Sequence, residues 1–88
     1  MSEARRLRAA VFASGAGSDF QSLLDHQRDA TPWRIHLLVV DRAGIGALER
    51  AAKAGVAARV IPTKGRPSQD VASETLAALQ EHRVEVIF

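Results

Sequence analysis

The sequence predicts an α/β fold, a doubly wound parallel sheet with four parallel strands and three helices. Three observations predict it. Short apolar runs alternate with amphipathic stretches in the order strand, helix, strand, helix, strand, helix, strand. The first run passes into a glycine-rich turn, Ser14-Gly15-Ala16-Gly17-Ser18-Asp19, at the start of a helix. Hydrophobic residues make up 47% of the 88-residue chain but aromatic residues only 5%, so the expected core is aliphatic, with alanine-bearing helices close to Val/Ile/Leu strands.

Leu7–Ala13 (LRAAVFA) is a mostly apolar run closed by SGAGS, the pattern of a parallel strand covered on both faces. Phe20, Leu23, Leu24 and Gln27 share one helical face between Asp19 and about Arg28, and Thr31-Pro32 ends that helix. Ile35–Val40 (IHLLVV) is the second strand. A second helix runs from about Ile45 to Ala54 with Leu48, Ala51 and Ala52 inward, and Gly55 is placed as its C-terminal stop. Arg59–Ile61 is a brief third strand closed by Pro62. Beyond the polar loop Thr63–Pro67, Ser68 is positioned to cap a third helix that reaches about His82, with Val71, Thr75, Leu76 and Leu79 inward. Val84–Phe88 (VEVIF) begins a fourth strand. A parallel strand needs neighbours and covered faces, so residues 1–88 are expected to form the first part of a larger, truncated domain.

Twelve basic residues face ten carboxylates, a formal net charge of +2. With neither cysteine nor tyrosine to titrate, the high isoelectric point reflects missing buffers rather than a polyanion-binding surface. Only Arg5, Arg6 and Arg8 run together, in a stretch expected to fray, so no nucleic acid is expected as a partner. The lack of cysteine excludes a disulfide framework, a thiolate zinc site and a cysteine nucleophile. His26, His36 and His82 have no ligand spacing, so no metal is expected. The apolar run Ala9–Ala13 is too short for a signal peptide or a membrane span, which makes the cytoplasm the default location and excludes a membrane partner.

Ligands of open α/β sheets bind at the carboxyl ends of the strands, where the glycine turn lies. Its glycines let backbone approach a ligand closely, and the first amides of the helix point into the same space with the positive end of the dipole. Phosphate suits that arrangement. The alternative is a turn whose glycines serve geometry alone, with Ser18 or Asp19 capping the helix. Nucleoside triphosphate hydrolysis by a P-loop is excluded, since no lysine precedes Lys53. A dinucleotide-binding domain is the second reading: Asp41 stands where a ribose-reading acid belongs, but Phe20 occupies the place of a third glycine. Glu49, Arg50 and Lys53 read as a solvated helix face with an i, i+4 pair, Lys64 and Arg66 as loop cations, and Trp33 beside Pro32 as a cover for the core edge.

VFASGAGSDFQSLLD resembles the opening of the phosphoribosylglycinamide (glycinamide ribonucleotide) formyltransferases, in which a buried strand runs into Ser-Gly-x-Gly-Ser-Asn, an apolar residue, Gln and a helix. VVDRAGIGALERAAKAGV resembles that family's second strand, loop and Leu-Glu-Arg-Ala helix, and VEVIF its fourth strand. The resemblance covers nearly the whole chain and implies a Rossmann-like N-terminal half, with residues 1–88 as the phosphate-binding part of a formyltransferase domain. It implies transfer of a formyl group from 10-formyltetrahydrofolate to glycinamide ribonucleotide in purine biosynthesis. Family positions matching Gly17, Ser18 and Asp19 hold the substrate phosphate, through backbone amides and the serine hydroxyl. Gly15 shapes the turn and Ala16 lies within it. Gln69 falls where the family often carries an arginine beside the folate, which makes it the candidate contact to the formyl donor.

The family's catalytic Asn, His and Asp lie beyond its fourth strand, so the resemblance implies half of a substrate site with no catalytic residue, inactive alone. Asp19 and Asp41 stand where the family has Asn, and Gln69 replaces Arg. A diverged, non-catalytic phosphate- or nucleotide-binding module is the alternative function that these departures suggest. The implied partner is a small phosphorylated ribonucleotide, and the apolar strand edges would be covered by the remainder of the domain or by a partner such as a second copy in a homo-oligomer.

Overall fold

The computed structural model describes residues 6–13, 16–28, 31–43 and 46–88. Strand and helix alternate as β1 (Leu7–Ala13), α1 (Ser18–His26), β2 (Trp33–Val40), α2 (Gly46–Ala54), β3 (Ala57–Val60), α3 (Ser68–Glu81) and β4 (Val86–Ile87). All strand pairs are parallel, in the order β3-β2-β1-β4. The chain builds outward from β1 through β2 to β3, then crosses back to place β4 on the other side of β1. The order reverses between β1 and β4, and the carboxyl ends of these two strands frame the crevice in which such sheets bind ligands.

Helices cover both faces. Phe20 of α1 and Ala47 and Ala51 of α2 pack with Ala9, Val11, Ile35, Leu38 and Val40. On the opposite face, Ala78 of α3 packs with Ala10, Leu37, Val39 and Ile61. This two-sided cover is why the consecutive residues Leu37 and Leu38 are both 0% exposed. A register shift assists: Ala9 lies opposite Ile35 but Ala10 opposite Leu37, which leaves His36 as an extra residue in β2.

Partial burial and the nearby charges of Arg8, Arg34 and His82 hold the His36 imidazole below its ordinary pKa of 6.5. The folded chain therefore resists a proton that the unfolded chain accepts. Stability present above pH 6.5 is lost as pH falls through the window beneath it. The melting midpoint, followed by circular dichroism, should drop on acidification from about pH 7 to about 5.5 and drop less in His36→Asn; equal slopes would remove His36 from the account.

Several boundaries differ from the sequence reading. β2 starts at Trp33 rather than Ile35, because the Leu7 amide donates to the Pro32 carbonyl at 2.9 Å and carries the ladder back. β3 is Ala57–Val60, paired with Leu37–Val40, and Ile61 lies just past it with its amide on the Val40 carbonyl at 2.8 Å. The regular part of β4 is two residues, prolonged by Phe88, whose amide donates to Ala10 at 2.9 Å and whose carbonyl accepts from Phe12 at 3.3 Å. Pro67, not Ser68, takes the cap position of α3, where a missing N–H costs nothing. Leu76 is 55% exposed, because the sheet-facing side of α3 runs through Val71, Ala78 and Leu79, and Leu76 is rotated about 100° from Thr75. In α2, Ala52 is exposed and Ala47 is buried in its place. The expected start of that helix at Ile45 lies outside the described residues.

Gly55, Gln27 and Trp33 take their expected places. Gly55, at φ 71°, ends α2 in the left-handed conformation, with the Val56 amide returning to the Ala51 carbonyl at 2.9 Å. Gln27 faces inward, and its side-chain oxygen accepts the Ile35 amide at 2.6 Å. Trp33 packs at the core edge with its ring edge-on to Phe88, centroids 4.9 Å apart. Arg8, expected to fray, instead bridges to the end of α3, its Nε donating to the His82 carbonyl at 2.7 Å; Arg5 lies outside the described residues. Among the described residues no helix is long and apolar enough to cross a membrane.

Candidate functional site

The turn after β1 enters α1 through Gly17, whose φ of 77° and ψ of 31° lie in the left-handed region. Gly17 is the cap position and carries no side-chain cap hydrogen bond, so Ser18 and Asp19 do not cap the helix but form its first turn. The first helical bond runs from the Gln21 amide to the Gly17 carbonyl at 2.9 Å. By helix geometry the amides of Ser18, Asp19 and Phe20 have no carbonyl to reach within the helix, and they project from its positive end. Gly17, Ser18 and Asp19 line a recess of about 160 Å³ together with Phe12 and Ala13. Backbone donors at a helix N-terminus, beside a hydroxyl and at the carboxyl end of a central strand, are suited to gripping a phosphate.

The turn is held from below by α2. A Cβ placed on Gly17 would lie 2.7 Å from the Ala47 Cβ and 2.8 Å from its Cα, so the two backbones touch with no room for a side chain. A Cβ on Gly46 would meet the Ala16 carbonyl oxygen at 3.1 Å. Arg50 then reaches across: its Nε donates to the Ala16 carbonyl at 2.8 Å and its Nη1 to the Gln21 side-chain oxygen at 3.2 Å. Gln21 in turn donates to Asp25 at 2.8 Å. The solvated-face reading of Arg50 is thereby corrected, although Glu49 and Lys53 are exposed as expected.

The structure brings Ala16, Gly17, Ser18 and Asp19 together on one turn. Gly15 lies outside the described residues. Gln69 is exposed on the first turn of α3 and lines neither the recess nor the adjoining groove. That groove, about 330 Å³, shares Phe12 and Ala13 with the recess and extends over the ends of β2 and β3 to Asp41 and Thr75. Asp41 pairs with its neighbour Arg42 at 3.3 Å. Phe20 is 0% exposed and sets the spacing between α1 and the sheet with a full aromatic ring, where a dinucleotide turn needs the closer approach of glycine. Arg66 is fixed rather than loose, donating to Glu74 at 2.6 Å and to the Pro62 carbonyl at 2.7 Å. His26, His36 and His82 lie in the last turn of α1, in β2 and at the end of α3, and no described cluster of His, Cys, Asp and Glu could hold a metal ion.

Sequence reasoning missed the part of α2 in this site. The signal was the Gly46-Ala47 pair, small residues where a helix begins and where a neighbouring backbone can come close.

Comparison with known proteins gives a consistent picture. The family model described as formyl transferase matches residues 7–88. The chain is 43% identical over 86 residues to the trifunctional purine biosynthetic protein adenosine-3 of Drosophila pseudoobscura pseudoobscura, an alignment covering 93% of this chain and 6% of that protein. The human protein of the same name is 35% identical over 63 residues, covering 70% of this chain and 6% of its own length. Glycinamide ribonucleotide transformylase 1 of Geobacillus kaustophilus superposes with a TM-score of 0.83 at 40% identity, over 94% of this chain and 45% of that one. Phosphoribosylglycinamide formyltransferase of Brucella melitensis gives 0.84 at 32% identity, over 94% and 44%. The chain thus spans less than half the length of these solved relatives and a small part of the curated ones.

Proposed function

The chain belongs to the formyl transferase family, and on that premise we propose that it is the phosphate-gripping part of a phosphoribosylglycinamide formyltransferase. The observation that carries this reading is the recess at the carboxyl end of β1, where Gly17, Ser18 and Asp19 present the open end of α1. In this reading the amides and the Ser18 hydroxyl hold the phosphate of glycinamide ribonucleotide, with Gly15 and Ala16 shaping the approach. Fixing the phosphate, remote from the amine that attacks the formyl carbon, turns binding energy into orientation of that amine. The chain's own residues bind and orient; the groups that move protons during formyl transfer belong to the rest of the formyltransferase fold.

The proposed formyl donor is 10-formyltetrahydrofolate. Toward it this chain offers the Gln69 amide and the exposed ammonium of Lys64, since Arg66 is engaged by Glu74 and Pro62. A neutral amide in place of a guanidinium holds an acidic folate tail less firmly. The proposed setting is the cytoplasm, with a small phosphorylated ribonucleotide as partner.

Isothermal titration with glycinamide ribonucleotide tests the reading. Saturable binding is expected, with none for the dephosphorylated riboside and none for NAD. Equal binding of the riboside would overturn the phosphate assignment, and NAD binding that is lost in Asp41→Ala would establish the dinucleotide reading instead. Asp19 adds a sign to the test. A carboxylate near a phosphate dianion repels it by about 1 kcal/mol per unit charge at 4 Å in water. Asp19→Asn should therefore tighten binding by about thirtyfold for the dianion, an advantage that shrinks with added salt; unchanged affinity would mean that the Asp19 side chain faces away from the ligand.

A further inference from the structure

We propose that Arg50 is a positioning residue for the phosphate turn: it locks the peptide plane between Ala16 and Gly17 so that the Gly17 amide faces the recess. The proposal rests on the phosphate reading above for its purpose, but its geometry stands without a ligand.

A trans peptide points its C=O and N–H in opposite directions, and no cis peptide bond occurs among the described residues. The Ala16 carbonyl is drawn toward α2 by the Arg50 Nε at 2.8 Å. The N–H of the same peptide, which belongs to Gly17, is thereby turned away from α2 and toward the side on which Phe12, Ser18 and Asp19 line the recess. Such a lock has something to act against. Glycine adopts positive and negative φ with comparable ease, so the plane before Gly17 could rotate by half a turn without the steric penalty another residue would impose. That rotation would aim a carbonyl oxygen at an incoming phosphate in place of an N–H. Arg50 selects one of the two orientations.

Two further contacts make the selection firm. Arg50 Nη1 is engaged by Gln21, itself tied to Asp25, so the guanidinium is oriented from α1 as well as from its own helix. Gly46 and Ala47 close on Ala16 and Gly17 below, which fixes the distance over which Arg50 must reach. A hydrogen bond from a cation to the carbonyl also polarises the peptide and strengthens its N–H as a donor. Lysine at this position could donate to Ala16 but would lack the planar fork that holds Gln21 at the same time.

The test uses the 88-residue chain and two variants, Arg50→Met, which keeps an apolar stem, and Arg50→Lys. The first arm needs no ligand. In Arg50→Met the Ala16 carbonyl carbon and the Gly17 amide should shift in nuclear magnetic resonance spectra, and the Gly17 amide-to-Hα couplings should move toward an average of two orientations, with the resonances of α3 unchanged. Unchanged Ala16 and Gly17 resonances would overturn the lock. In the second arm, titration with ribose 5-phosphate should show about tenfold weaker binding by Arg50→Met, with Arg50→Lys between the two, and loss of the ligand-induced shift at Gly17 but not at Ser18. Binding within twofold of the unsubstituted chain would overturn the positioning role. A substituted turn that responds in the first arm while the unsubstituted chain ignores ribose 5-phosphate would overturn the phosphate reading, and with it the purpose assigned to Arg50. Should Arg50→Met unfold, the Arg50→Lys spectra decide: a Gln21 side-chain resonance released while the Ala16 carbonyl stays in place supports the fork, and the reverse refutes it.

Discussion

Gly17→Val should lower the melting midpoint by roughly 8 to 40 °C and abolish binding of a phosphorylated ribonucleotide. Two costs combine. A residue with a Cβ pays about 1 to 2 kcal/mol for the left-handed conformation, and a β-branched one more. The Cβ also arrives 2.7 Å from that of Ala47, an overlap with backbone behind it that cannot be relieved by turning a side chain. Forced overpacking of this kind costs about 1 to 3 kcal/mol, and each kcal/mol moves the midpoint of a small domain by about 4 to 8 °C. Gly55→Ala is the control that separates the two costs. Gly55 has a φ of 71°, close to that of Gly17, but nothing lies within 4 Å of its added Cβ, so only the conformational cost should appear. Equal losses in the two variants, measured by thermal melting, would show that α2 does not press on the glycine turn.

Phe20→Ala should cost about 3 to 5 kcal/mol, a large share of the stability available to a chain of this size. Phe20 is the only fully buried residue of α1, at 0% exposed, and the ring fills the space between the helix and the strands that carry Ala9, Val11 and Ile35. Few other contacts would retain α1, because Leu23 and Leu24 are only partly buried. Urea titration followed at 222 nm gives the loss directly, and Phe20→Leu, expected to cost about 1.5 kcal/mol or less, keeps the comparison usable if the alanine variant does not fold. Ligand affinity should fall in Phe20→Leu despite its folded state, since the ring sets the height at which the Ser18 and Asp19 amides stand above β1. A fully retained affinity would mean that the amides are placed by α2 alone.

The order of elements and the position of the glycine turn were legible because both are written in local pattern: apolar runs, a helical period of 3.6, and glycine where the chain bends sharply. Gly55 was readable for the same reason. What sequence could not show were the contacts between α1 and α2. Arg50 stands beside Glu49 and three residues before Lys53, and arithmetic along a helix sees only such neighbours, whereas its real acceptors, on Ala16 and Gln21, are some thirty residues away. Gly46 and Ala47 looked like an indifferent helix start, because only the crossover brings them under Gly17. Leu76 was misplaced through a choice of face: four apolar or near-apolar positions fit one side of α3, but Ala78, too small to weigh much in a hydropathy pattern, decides which side is inward. The proposed grip on phosphate was legible because it is local, whereas a transfer reaction is assembled from distant segments.

The edge-on packing of Trp33 and Phe88 gives the molecule an internal reporter. Trp33 is the sole tryptophan and there is no tyrosine, so its emission is uncontaminated, and its ring touches a residue beside the short β4 rather than the centre of the core. Fluorescence therefore reads the docking of the sheet's last strand, while the far-ultraviolet signal reads the helices. Where the two signals part company on a denaturation curve, they divide local release of that edge from global unfolding, and so show whether the crevice between β1 and β4 opens as a unit of its own.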